Sequence, residues 1–263
     1  MAALTANKKV LNLSESLGLN EVAKRNIIDA DKIYCGGINA VDYLGEVQPA
    51  SDTLGLRVIG LADLYIDNTD DGETTESKKG IYLLDNSSTY PLARLNIGQT
   101  CYVEDDQTVA GSSTNLVAAG IVHDVESRGV WVDMRANSLA IARGKARNVI
   151  VDITATTSTL TAAQMFAGNV IVTAVNSSAT TLTFPACIAG SRIGIQRLNA
   201  SAGYDVILQA GSGDKILGSA AAGTASNTTD AISEIVYIES IDETDYVLAA
   251  PVAKDRAVWV ASS

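Results

Sequence analysis

The chain has 263 residues, a length that on the usual ~100–200 residues per domain points to two domains. Apolar residues make up 47% but aromatics only 5%, and Ala, Thr, Ser, Val and Gly are abundant, a mix that favours thin β-modules over a large enzyme core. A net charge of −11 repels phosphate backbones and argues against nucleic-acid binding, and no apolar run approaches the ~20 residues of a membrane span.

Residues 1–32 read as an N-terminal arm. Lys8 and Lys9 precede Val10, Leu11, Leu13 and Leu17, with no turn punctuation. No apolar core follows those charges, so no secretion signal is expected. Asn20 is placed to cap a short helix over residues 20–30, with Val22, Ala23, Ile27 and Ile28 roughly on one face. An isolated helix that short is marginal in water and needs a surface to lie on, either the chain's own body or a partner protein. Leu11, Leu13, Val22, Ile27 and Ile28 are the partner-contact candidates.

From residue 33 the pattern turns to β. Ile33-Tyr34-Cys35 runs into a Gly36-Gly37 turn, and short strands follow at 38–42 and 46–48. Residues 56–67 read as one long strand in which Gly60 marks a bulge or a close backbone approach. Further strands fall at 80–84, near Tyr102, near Ile121 and near Trp131. Val122–125 and 130–132 form a hairpin with a loop of about four residues. Strands this short and this frequent argue for a compact barrel or sandwich over 33–133.

Residues 134–148 lose the β pattern and are read as a linker, either one helical turn or extended. The charge is uneven along the chain. Residues 33–133 carry 16 acidic and 5 basic side chains and residues 149–252 carry 9 and 3, whereas the neck holds Arg135, Arg143, Lys145 and Arg147 and no acid. The neck is then either a solvated connector or a segment that pairs with acidic faces of its own or a neighbouring subunit.

A second β-sandwich module is expected over 149–252, with strands at 149–153, 169–175, 180–184, 192–198, 205–209, 215–217, 232–239 and 246–249. Thr161-Ala-Ala-Gln164 has capping-box spacing, which predicts a helical turn over 162–166. Residues 218–229 read as a low-complexity loop, and 253–263 as a tail with one apolar knot at Val258-Trp259-Val260. No short internal repeat is evident.

No motif for catalysis survives inspection. Asp67-Asn-Thr-Asp-Asp-Gly72 begins like a calcium loop but has Lys78 where the bidentate Glu belongs. Glu104-Asp105-Asp106 invites a cation, yet neighbouring strand residues point to opposite faces, which favours a plain turn. His123, the one histidine, sits in an apolar strand without a nucleophile elbow. Gly55 and Gly60 have phosphate-loop spacing, but Leu61 stands where Lys is required. The three cysteines, Cys35, Cys101 and Cys187, are odd in number and widely spaced, so reduced thiols are expected rather than disulfides or zinc. The expectation is no enzyme, no cofactor and no metal.

An ordered set of segments carries a resemblance. These are Lys32-Ile-Tyr-Cys-Gly-Gly-Ile-Asn-Ala-Val-Asp42, Val58-Ile-Gly-Leu-Ala-Asp63, Ile66-Asp-Asn68, Ile97-Gly-Gln-Thr-Cys-Tyr-Val-Glu-Asp-Asp-Gln-Thr-Val109, and Ala119-Gly-Ile-Val-His-Asp-Val125 with Gly129-Val-Trp-Val-Asp133. Over about residues 30–133 the chain resembles the capsid decoration, or cement, proteins of tailed bacteriophages. The resemblance implies a small β-barrel on the outer capsid surface of a virion, bound to the major capsid protein and self-associating as a homotrimer, or else a dimer. Farther on, Thr159-Leu-Thr-Ala-Ala-Gln-Met165, Thr181-Leu-Thr-Phe-Pro-Ala186, Gly190-Ser-Arg-Ile-Gly-Ile195 and Val206-Ile-Leu-Gln-Ala-Gly-Ser-Gly213 look like the small β-modules of phage head fibres. The fold expected is therefore all-β, two modules with an N-terminal arm. The function expected is a non-enzymatic virion structural protein; the alternative is a head-fibre-like adhesin whose second module binds host glycans or receptors.

Overall fold

Alternating apolar residues set the architecture of the first unit, and strand pairing closes it. The structure is a computed structural model; it describes residues 3–8, 25–28, 31–70, 72–175, 178–197, 206–211, 214–216, 224–227, 235–240, 242, 245–248 and 259–261. The chain divides into two compact units, residues 1–147 and 148–263. Both are built mainly of strands, so the fold is all-β as expected.

The N-terminal unit runs β1 (Arg25–Asn26), β2 (Lys32–Ile33), β3 (Ile38–Val41), β4 (Val47–Pro49), β5 (Arg57–Ala62), β6 (Ile66–Asp67), β7 (Thr74–Thr75), β8 (Ser77–Lys78), β9 (Ile81–Asn86), β10 (Thr100–Val103), β11 (Thr108–Ala110), β12 (Ala118–Glu126), β13 (Gly129–Asp133) and helix α1 (Ala136–Lys145). Strands β10, β11, β9, β13 and β12 close into a barrel in that order. Only β11 and β9 pair in parallel; the other neighbours are antiparallel. Because strand side chains alternate between faces, Tyr82 and Leu84, Cys101 and Val103, and Val130 and Val132 each share a face, and all six join one buried cluster with Val109, Ala119 and Val122. Apart from Tyr82 and Leu84 these are small residues, which suits a barrel of only five strands. The buried Trp131 belongs to the other face, where its Nε1 donates to Glu126 at 2.7 Å.

A second sheet, β4-β3-β5-β8, adds Ile38, Ala40, Val58 and Leu61 to the same core. The strand expected over 56–67 is two: β5 ends at Ala62 and β6 leaves for another sheet, pairing with β2. Gly60 has φ +147°, and a Cβ there would lie 2.4 Å from the Lys78 carbonyl oxygen, so the close approach read from the sequence is real and admits no side chain. The hairpin β12–β13 is tighter than expected: Glu126 faces Gly129 across a two-residue turn, and the register slips between Val122 and Asp124.

Two further expectations need correction. The helix expected over 20–30 is not formed in its described part. Arg25–Asn26 is a strand paired with Thr74–Thr75, and Ile27 bridges to Val47. Bridging and burial beside Ile33, Val47 and Ala62 outweigh a weak helical pattern. The stretch 134–148, read as a linker of either one helical turn or extended chain, carries a longer helix. Ten of its residues form α1, which buries Leu139 and Ala142 and leaves Lys145 outward. Two apolar positions make too narrow a stripe to signal a packed helix in advance.

Asp133 anchors the entry to α1. It accepts from Arg135 Nε at 2.9 Å, Nη2 at 2.6 Å and the Arg135 backbone N–H at 3.0 Å, with a further bond from Ser138. Burial alone would push this carboxyl up, but those donors outweigh it and hold it below the ordinary carboxylate value. A depressed folded-state value adds stability that is present above about pH 4 and is lost as pH falls through the folded value. Asp133→Asn is expected to cost about 1–2 kcal/mol at pH 7 and much less at pH 3. Denaturant curves for both proteins at the two pH values check this, since their difference isolates Asp133 from other carboxylates; a gap that does not change with pH refutes it.

The C-terminal unit runs β14 (Val149–Ile153), β15 (Thr157–Thr159), α2 (Ala162–Ala167), β16 (Val170–Ala174), β17 (Thr180–Thr183), β18 (Arg192–Arg197), β19 (Val206–Gln209), β20 (Lys215–Ile216), β21 (Thr224–Asn227), β22 (Ile235–Ser240), β23 (Asp245–Leu248) and β24 (Trp259–Ala261). It has two sheets, β14-β16-β18-β22-β23-β20 and β15-β17-β19-β21-β24. From β14 to β19 the chain alternates between them and every pairing is parallel: Val149 lies beside Val170, Ile171 beside Gly194, Thr157 beside Thr181 and Thr180 beside Val206. This is a coil of three turns, a repeat in geometry that the sequence does not spell out. Strands β21 to β24 then finish both sheets, with only β20 and β23 pairing in parallel. Strand β16 is buried along its whole length, as a central parallel strand must be. The capping box at Thr161 and Gln164 is formed and starts α2 as predicted. Strand β21 lies in the stretch read as a loop, and β15 was not anticipated; both are short and polar.

Candidate interaction surface

Apart from Ile141 on α1, the large apolar side chains left exposed by the described part of the N-terminal unit sit at chain reversals. Tyr43 and Leu44 occupy the β3–β4 turn, Leu64 and Tyr65 the break between β5 and β6, and Tyr90, Leu95 and Ile97 the segment 87–99 between β9 and β10. Leu95 is the most exposed of them at 78%.

The segment 87–99 is built to hold its shape. The Asn86 side chain donates to the Leu92 carbonyl and accepts the Leu92 N–H, each at 2.8 Å. Ser87 Oγ accepts the N–H groups of Thr89 and Tyr90, and the Tyr90 carbonyl accepts the Gly111 N–H at 2.8 Å. Arg94–Asn96 forms one 3-10 turn, capped by the Asn96 side chain on the Ala93 N–H. Gly98 and Gln99 then bond to Val122 in both directions, fastening the exit to β12. Leu92 is buried as the anchor, while Tyr90, Leu95 and Ile97 face out. Apolar side chains on a pre-ordered backbone lose little further entropy on docking, and burying them is favourable by ~25 cal/mol per Å².

Of the residues singled out in the arm, only Ile27 and Ile28 are among the described residues. Leu11, Leu13 and Val22 fall outside the described residues. Ile27 is 3% exposed and belongs to the chain's own core, and the half-buried Ile28 donates its N–H to Val47. Farther up the arm, Leu4 N–H donates to Asp106 at 2.8 Å and Lys8 pairs with Asp85 at 2.7 Å, so residues 3–8 are strapped to the barrel. No period of 2 or 3.6 marks Tyr90, Leu95 and Ile97, and only the Asn86-Ser87-Ser88 turn chemistry hinted at an ordered loop.

The acidic stretches are structural in their contacts. Glu104 to Gln107 is the bend between β10 and β11; Asp105 accepts the Gln107 N–H, and burial pushes the Asp106 carboxyl up. Asp67 accepts from Lys32, Thr69 and Tyr65, and those bonds hold it far below the usual carboxylate range. His123 lies exposed on β12. Among the described residues no group of three or more His, Cys, Asp or Glu side chains is placed to hold a metal, and no helix is long and apolar enough to cross a membrane. The three cysteines are free, and burial pushes the Cys101 thiol up to about 12. No family model matches the chain, and neither does any curated protein.

Proposed function

We propose that this chain is a non-enzymatic structural protein of a tailed-phage virion, which docks on the outer capsid surface and cements the lattice of the major capsid protein. The observation that carries the reading is the braced 87–99 segment with Tyr90, Leu95 and Ile97 outward on a closed barrel. Aromatic and aliphatic anchors on a rigid support are what protein–protein interfaces of about 1,600 Å² are built around. The resemblance over residues 30–133 supplies the partner. Copies docked across subunit junctions bind the assembled lattice better than free subunits and stabilise it by mass action. Assembly as a homotrimer adds avidity.

Co-sedimentation with purified empty heads tests the proposal. Wild-type protein is expected to pellet with the heads and to saturate. The Leu95→Asp/Ile97→Asp variant should fold normally, because both side chains are exposed, and should bind about 100-fold more weakly. Failure of the wild-type protein to bind heads, or undiminished binding by the variant, overturns the proposal.

A further inference from the structure

The N-terminal unit has a pocket of about 270 Å³ whose charge runs against the rest of the chain. Three cations from three separate segments line it: Arg25 of β1, Lys79 just after β8, and Arg143 of α1. The Ser77 hydroxyl, Ala136 at the start of α1 and the apolar wall of Leu139 complete the part that matters here, and no acidic side chain is among the described residues lining it. The net charge of the whole chain is −11, so the convergence does not follow from composition.

Gathering like charges is unfavourable unless something offsets it; Lys79 has a partner of its own, whereas Arg25 and Arg143 make no ion pair among the described residues. The Arg143 guanidinium donates to the Val58 carbonyl, a neutral partner that leaves its charge uncompensated. Its partial withdrawal from water lowers its pKa, and its charge in turn lowers that of Arg57 after burial has done so. The first turn of α1 contains no acidic residue, and Arg135 at its N-cap makes no side-chain cap bond; Asp133 nearby is held by Arg135 and Ser138.

We propose that this pocket binds a single oxyanionic group, a phosphate or a carboxylate. Arg143, one of whose N–H groups is already on the Val58 carbonyl, provides its remaining guanidinium donors, Arg25 and Lys79 provide charge, and Ser77, whose Oγ accepts from Asn39, provides its O–H. The volume suits one such group rather than a polymer. The acidic surface elsewhere repels a long polyanion, so the ligand is a free ion or one acidic side chain of a docked protein.

The test uses the full chain and two probes, inorganic phosphate and a short acetylated triglutamate peptide, each against sodium chloride at equal ionic strength. Calorimetric titration and the shift in thermal midpoint are both read. Saturable binding of either probe is expected, at least about tenfold weaker in the Arg25→Gln/Lys79→Gln variant. Both substitutions lie outside the apolar core, and Arg143→Lys, which keeps the charge but removes the guanidinium donors, serves as a second variant that should also weaken binding. The probe that binds more tightly identifies the source as free ion or protein carboxylate. No response beyond that of chloride for both probes, or binding unchanged in the double variant, overturns the proposal.

Discussion

Gly129→Ala is expected to destabilise the N-terminal unit by about 3–5 kcal/mol, a large part of the ~5–15 kcal/mol available to a typical domain. Gly129 opens β13 with φ +150°, where an L side chain costs roughly 1–3 kcal/mol in backbone strain alone. The added methyl would also sit 2.2 Å from the Leu84 carbonyl oxygen and 3.4 Å from Leu83 Cδ1. That carbonyl belongs to β9, and Val130 pairs with Leu84 in the next register position. Relief therefore requires β9 and β13 to separate where the barrel closes, and Leu84, Val130 and Val132 would lose their common core. Gly144→Ala is the control. It lies within α1 with nothing near its would-be Cβ, and should be neutral or stabilising by up to about 1 kcal/mol. Denaturant unfolding followed by circular dichroism, with hydrogen exchange over 81–133, distinguishes the two. Equal stability of Gly129→Ala and wild type would show that β9 and β13 tolerate a gap there.

The sequence made some of this legible and not the rest, for reasons that lie in range. Strands β12 and β13 announce themselves because alternation and the Ser127-Arg128-Gly129 turn are local signals. The Thr161–Gln164 capping box is equally local, and it formed as read. The parallel coil of the C-terminal unit is not local. Val149 meets Val170, and Thr180 meets Val206, through backbone bonds that impose no shared residue pattern, so no repeat is visible in the letters. Strand β21 hides in an Ala/Gly/Ser/Thr stretch because its pairing with β19 and β24 requires no bulky side chain. The same limit applies at the interaction surface. Leu92 and Leu95 look alike in sequence, and only the Asn86 clamp and the 3-10 turn decide that the first is buried and the second offered outward. The basic pocket was partly legible: the excess of arginine in 134–148 was plain, but Arg25 and Lys79 join Arg143 only through the fold.

Phe184→Ala is expected to unfold the C-terminal unit by a comparable amount, about 3–5 kcal/mol, while leaving the barrel of the N-terminal unit standing. Phe184 follows β17 and is 1% exposed; its ring lies 4.9 Å from that of Tyr246 on β23, tilted by 48°. The pair joins the two sheets of the unit, since β17 belongs to one and β23 to the other. Truncation removes the ring–ring contact and leaves a cavity between parallel strands that cannot collapse without breaking their register. The Phe184 N–H donates to Gln209 at 2.8 Å and Tyr246 Oη donates to the Pro185 carbonyl at 2.7 Å, so backbone on both sides is tied in place and relaxation is restricted. Tyr246→Phe separates the two contributions: it keeps the ring and loses only the hydroxyl's bonds, to the Pro185 carbonyl and with Cys187, and should cost about 1 kcal/mol. Burial also pushes the Tyr246 hydroxyl far above the ordinary tyrosine value. Every contact named here lies within residues 148–263, and the barrel cluster contains none of them. Hydrogen exchange read by peptide mass should therefore show faster exchange over 170–174 and 180–183 in Phe184→Ala, with 81–86 and 129–133 unchanged. Loss of protection in both sets together would mean that the two units fold as one.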